Sequence, residues 1–172
     1  MGAIKYLKKK HYDDGEVVRE PDTKKISTKG KRMVTQARKD MFRCAHCRRE
    51  ILKDSISTKH RNHCPFCLYS LHVDESPGDR RSVCHGSMKP IGFCIKQHGG
   101  ELSVIHECQK CGVIKINRIA AEDDDEELVR IFNESQNLPK KNIDAIKKAR
   151  IELLRRENES VFYTIIFGKL NN

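Results

Sequence analysis

The sequence predicts an α+β protein: a small β-rich centre, a basic arm before it and a helical extension after it. Three observations predict this. All eight cysteines and seven of the eight histidines fall between residues 43 and 121, where short apolar runs alternate with turn signals. From residue 122 onward the apolar positions switch to helical spacing. Hydrophobic residues make up only 37% of the 172, aromatics 6% with no Trp, and charged residues 34%. So little apolar material leaves the centre short of cohesion, and the cysteines are the obvious supplement.

Residues 1–42 mix charged and small polar side chains, as in "EPDTKKISTKGKRMVTQARKD", without helical or strand periodicity. They read as a flexible basic arm. In the centre, "PIGFCI" (90–95) and "ELSVIH" (101–106) flank the turn "HGG" (98–100), and "GVIKI" (112–116) follows the corner "CQKCG". These three runs predict a three-stranded antiparallel sheet within a domain spanning 43–121. In the extension, 122–172, the acids of "EDDDEE" face the positive end of a helix dipole and predict a helix over 124–136. Pro139 opens a second helix to about residue 158, with Ile143, Ile146, Ala149 and Leu153 on one face. "SVFYTIIFG" (160–168), rich in β-branched and aromatic residues, predicts a closing strand.

No stretch approaches the roughly 18 apolar residues of a membrane span, and "MGAIKYLKKKHYDDGEVV" lacks a secretory apolar core. Membrane and secreted classes are therefore set aside, and a cytoplasmic location with reduced thiols is expected. Reduced thiols point to metal ligation rather than disulfides. Cys44-x2-Cys47, then sixteen residues, then Cys64-x2-Cys67 has the spacing of two knuckles that close a tetrahedron round one zinc ion. A redox-active pair would open a helix in a βαβ setting, which this stretch lacks. Cys108-x2-Cys111 is a third knuckle, with Gly112 free to take the positive φ such a turn needs. Cys84 is its natural third ligand. The fourth is open among His106, His72, His85, His63 and Cys94. His106, two residues before Cys108 on the same face of a strand, is placed first, ahead of His72. Cys94, inside the run "IGFCIK", reads as a small buried residue. The expected cofactor is two zinc ions per chain.

The segments "RNHCPFCLYSLHVDESPGDRRSVCHGSMKPIG" and "HECQKCGVIKINRIAAEDD" together resemble the RNHCP domain family of small zinc-ribbon-like proteins, over about residues 42–125. The signature pentapeptide, the "HVD…PGDR" run, the "C-x-G-x-M" turn and the "H-x-C-x-x-C-G…NR" ending occur in that order. The resemblance implies a metal-binding domain. It assigns Cys44, Cys47, Cys64, Cys67, Cys84, His106, Cys108 and Cys111 to metal, and it leaves the activity to be read from the residues.

The formal net charge of +10 falls to about +7 once seven thiolates and two zinc ions are counted, so the chain stays basic. Residues 1–43 carry 13 Lys and Arg against 6 Asp and Glu, whereas residues 122–172 carry 9 against 11, which concentrates the basic charge ahead of the tail. A basic module with rigid loops suits nucleic acid, above all structured RNA or a ribonucleoprotein particle such as the ribosome. Arg61, Asn62, Arg80, Arg81 and Arg118 are the candidate contacts, with Phe66 and Tyr69 the nearby aromatics. The alternatives are a protein-interaction zinc module using the acidic segment 122–127 and, ranked last, a metal-dependent nuclease built on His63, His72 and Asp74. Two closed four-ligand sites argue against the nuclease, because a catalytic zinc keeps a coordination position open. Arg61, Asn62 and His63 have a plainer reading as braces for the knuckles, and Asp74, Asp79 and Arg80 as a fixed turn.

Overall fold

The computed structural model describes residues 41–52, 61–96 and 100–168. The expected basic arm lies outside the described residues, apart from residues 41 and 42. Strands β1 (Met41–Arg43) and β2 (Glu50–Leu52) form an antiparallel pair around the first knuckle. Strands β3 (Ser70–Leu71), β4 (Ser87–Ile95), β5 (Leu102–Cys108) and β6 (Ile114–Arg118) form an antiparallel sheet in that order. The three expected strands are therefore present, and β3 is a fourth, too short to leave a period in the sequence. Helices α1 (Asp125–Ser135), α2 (Lys140–Lys148) and α3 (Glu159–Phe167) follow.

Strand β5 is buried on both faces because the helices cover the sheet from two sides. On one face Phe93, Leu102 and Val104 meet Leu128, Ile131 and Phe132 of α1 and Phe162 and Ile166 of α3. Phe162 stacks on Phe132 with centroids 4.2 Å apart and tilts against Phe93 at 5.1 Å. On the other face Cys94, Ile105, Ile114 and Ile116 meet Ile146 of α2. Cys94 thus occupies the expected role of a small buried residue, and burial raises its thiol to about 11. Pro90 is accommodated in β4 by a register shift between Pro90 and Gly92. Gly92 allows the close approach of the extension, since a Cβ there would stand 2.6 Å from Leu153 Cδ1.

Helix α1 begins as expected, with the Asp124 side chain accepting from the Glu127 N–H at 2.9 Å. Helix α2 is shorter than expected. It stops at Ala149, Arg150 takes a φ of 58°, and residues 151–155 carry no regular secondary structure. The reason is steric: Leu153 joins the α2 side of the sheet and Leu154 the α1 side, and neighbours on a helix cannot reach opposite faces. This segment covers the outer edge of β4, where the Leu154 N–H donates to the Phe93 carbonyl at 2.8 Å. The expected closing strand over 160–168 is instead α3. Its β-rich composition is overridden by packing: Phe162 and Ile166 are buried in the core while Thr164 between them, which a strand would put on the same face, is exposed.

Phe162 joins strand and helix aromatics at the centre of this core. Phe162→Ala should cost about 3–5 kcal/mol of stability, read from the urea midpoint, while the folded fraction keeps its metal. A loss below about 1 kcal/mol would show that the extension is not integral to the core.

Candidate metal centres

The three knuckles share one backbone design. In each, the N–H of the residue after the second Cys donates to the carbonyl of the first: Arg48 to Cys44 at 3.0 Å, Leu68 to Cys64 at 2.8 Å, Gly112 to Cys108 at 2.8 Å. The N–H of each first Cys is tied forward in turn, Cys44 to the Arg49 carbonyl, Cys64 to Tyr69 and Cys108 to Val113, each at 2.9 Å. The design demands a left-handed residue after the knuckle. Arg48, Leu68 and Gly112 take φ values of 63°, 53° and 74°. Only Gly112 does so without strain, so at Arg48 and Leu68 the surrounding ties must hold the backbone.

Two groups of four ligand atoms result, each with all members within 4.8 Å of one another: Cys44, Cys47, Cys64 and Cys67, and His72, Cys84, Cys108 and Cys111. In the first, the Sγ atoms of Cys44 and Cys67 lie 3.7 Å apart and those of Cys47 and Cys64 3.6 Å apart. In the second, Cys84 and Cys108 are 3.6 Å apart, and Cys111 Sγ is 3.3 Å from His72 Nδ1. A tetrahedron with zinc–sulfur bonds of 2.3 Å has edges of about 3.8 Å, whereas a disulfide needs about 2.05 Å. The spacing and the donor chemistry fit two closed zinc centres per chain. A hydrogen bond from Cys67 pulls Cys64 down to about 5, and the same bond, with burial, pushes Cys67 up. At Cys108 burial is overcome by the N–H groups of Cys111 and Lys110 and by the neighbouring thiols, which bring it to about 6. Each centre thus holds a thiolate ready for metal, and loading must displace the remaining protons.

His72, not His106, completes the second centre. Residues two apart on a strand differ by about 6.6 Å, so His106 sits deeper than Cys108 and lies under the other centre. It is fully buried, its Nε2–H donates to the Leu68 carbonyl at 2.6 Å, and Nδ1 faces the Asn117 amide at 3.3 Å. Both ring nitrogens are engaged, and burial lowers its pKa to about 3, so it is a neutral brace on the second knuckle. Its hydrogen bond offsets part of that shift.

The residues before Cys64 form a second brace. His63 Nε2–H donates to Asp123 Oδ2 at 2.8 Å, and the Ala120 N–H donates to the same oxygen at 2.7 Å. Arg61 pairs with Asp123 and Glu122, each at 3.7 Å, and its side chain is only 6% exposed. Arg61 is therefore buried and is removed from the nucleic-acid candidates. Asn62 is exposed, and its carbonyl accepts from the Ser70 hydroxyl. Arg118 is engaged by Glu101 at 2.9 Å. Arg80 is 64% exposed and 3.7 Å from Asp74, and Arg81 is exposed. Their turn is held as expected: Asp79 accepts from the N–H groups of Ser76, Glu75 and Arg81, which lower its pKa, and Asp74 accepts from that of Arg80.

Sequence reasoning misses two site residues. A Cβ on Gly86 would stand 2.6 Å from Cys108 Sγ and 3.3 Å from Cys84 Sγ, so only glycine admits the second centre; its signal is the small residue at the end of "CHG". Asp123 reads only as part of a helix start, because nothing local marks a partner 60 residues away.

Gly86→Ala should therefore drop the zinc content from two ions to one, as should His72→Ala, while His106→Ala should keep both and lower the melting temperature. Elemental analysis checks this. Retention of two ions by the Gly86 and His72 variants would contradict the assignment.

Among the described residues no helix is long and apolar enough to cross a membrane. No curated protein and no solved structure matches the chain significantly. The family model for the RNHCP domain matches residues 39–129. That match spans more than half of the chain and includes both four-ligand centres, the His63–Asp123 pair and His106, and the chain belongs to the RNHCP domain family.

Proposed function

We propose that this zinc-binding module binds nucleic acid, with structured RNA or a ribonucleoprotein particle such as the ribosome as the favoured partner. The observation that carries the reading is the distribution of exposed cations around two closed centres. Arg43, Arg48 and Arg49 surround the first, and Arg80, Arg81 and Lys110 surround the second, all six exposed. Among the described residues only Arg80 of these six forms an ion pair, with Asp74. Rigid loops bearing guanidinium groups outside ion pairs suit phosphate contact, and the net charge of +10 supports it. Arg48 and Arg49 thus join Asn62, Arg80 and Arg81 as candidate contacts, with Arg118 held partly by its ion pair. The free thiols suit a reducing compartment, which favours the cytoplasm.

The nuclease alternative loses its base. His72 belongs to a four-ligand centre, and His63 is buried against Asp123. A protein partner has one observation in its favour, the exposed acids Asp124, Asp125 and Glu126 at the start of α1. Capture from lysate with and without ribonuclease separates the two partners.

Reversing two charges tests the phosphate contacts directly. The double variant Arg48→Glu, Arg49→Glu should weaken binding to transfer RNA, used as a structured probe. It should also flatten the slope of log affinity against log salt by about 0.7–0.9 for each phosphate no longer neutralised. Fluorescence anisotropy across a salt series measures it, and an unchanged slope would remove these arginines from the interface.

A further inference from the structure

The two knuckles of the first centre also carry a surface that metal ligation does not use. His46, from one knuckle, lies flat on Tyr69, which follows the other, with centroids 3.5 Å apart and planes within 4°. Reciprocally, Arg49 follows the first knuckle and sits 4.7 Å over the ring of Phe66 in the second. Two pairs of planar groups therefore bridge the knuckle tips. Phe66 remains 41% exposed even with a guanidinium over it, although burying a phenylalanine gains roughly 1.5–3 kcal/mol. An aromatic held outward on a rigid turn, beside cations, is placed for a planar anionic partner.

The charges around it are lopsided. Arg43, Arg48 and Arg49 cluster at the first knuckle, with Glu50 the cross-strand neighbour of Arg43, and among the described residues none of the three arginines forms an ion pair; the Nε–H of Arg43 donates to the Arg48 carbonyl at 2.8 Å. At the second knuckle the Asp124 N–H donates to the Pro65 carbonyl at 2.8 Å, which brings the acidic first turn of α1 against that knuckle. A phosphate chain is repelled by that acidic turn and drawn to the arginines.

The geometry points to an unpaired RNA base stacking on Phe66, with its flanking phosphates carried by Arg43, Arg48 and Arg49. This rests on the nucleic-acid reading above and narrows it. A continuous duplex keeps its bases paired and stacked inside and cannot supply the contact, whereas an unpaired overhanging or looped-out base of a structured RNA can. The contact is tolerant of sequence, because every base has a flat face.

The test uses the zinc-loaded full chain and two probes: a blunt RNA duplex, and the same duplex with a single-stranded adenosine overhang containing 2-aminopurine. The expected result is tighter binding of the overhang probe with quenching of 2-aminopurine. A base stack is worth about 1–3 kcal/mol, so Phe66→Ala should weaken overhang binding by about tenfold and abolish the quenching, with blunt-duplex affinity within about twofold. Phe66→Tyr should restore both, and zinc content should stay at two throughout. If the chain binds both probes equally and Phe66→Ala changes neither, the stacking site is overturned while the nucleic-acid reading stands. Equal loss on both probes with zinc retained also overturns it. If the unsubstituted chain binds neither probe, the nucleic-acid reading itself falls, and the platform with it.

Discussion

Four thiols cannot be held within a few ångströms of one another in ionised form unless a cation sits between them, and the rest of this structure is arranged around that constraint. The sheet alone cannot close a domain here. Strands β1 and β2 have three residues each and β3 has two. Such strands are marginal in water without further support. The first centre joins the β1–β2 ribbon to the turn before β3, and the second joins the segment after β3 to the β5–β6 corner. Metal ligation thus fixes the short elements at one end of the sheet, and the apolar core fixes the long ones at the other.

Buried polar groups connect these two regimes. His106 projects from β5 and donates to the carbonyl of Leu68, the left-handed residue behind the second knuckle. His63 precedes that knuckle and donates to Asp123, whose neighbour Asp124 caps α1 and donates to the Pro65 carbonyl. Each bond satisfies a buried group that would otherwise cost about 1–3 kcal/mol. Their joint effect is to hold the strained turn at Leu68 and to anchor the start of the helical extension on the first zinc centre. The segment "RNHCP" therefore divides its labour: Cys64 takes the metal, His63 and Arg61 hold the extension, and Pro65 stiffens the turn through its fixed φ.

What can be read from the sequence follows the range of each interaction. The knuckles are legible because a C-x-x-C turn is local, and the first centre follows because two such turns at this spacing have one natural use. The second centre has a single knuckle, so its remaining ligands come from other strands. His72 and His106 cannot be ranked without knowing that β3 pairs with the start of β4 and brings residue 72 to that end of the sheet. Helix α1 announces itself by its acids and its cap. Segment 160–168 does not, because its composition favours a strand, and only the aromatic contacts of Phe162 with Phe93 and Phe132 select the helix. Leu153 and Leu154 mislead in the same way: their consecutive apolar character extends a helical pattern, but they serve opposite faces of a sheet. Arg61 has the look of a surface cation and is buried by partners far along the chain, Glu122 and Asp123.

The central claim is that two closed centres, one of four thiolates and one of three thiolates and an imidazole, hold this domain together. X-ray absorption at the zinc edge of the fully loaded protein tests it most directly. Counting seven cysteines and one histidine over two ions, the account predicts an average first shell of sulfur and nitrogen in a ratio of seven to one, at about 2.3 Å and 2.0–2.1 Å, with no oxygen ligand. A water or carboxylate oxygen in the shell, or a second nitrogen per pair of ions, would contradict it.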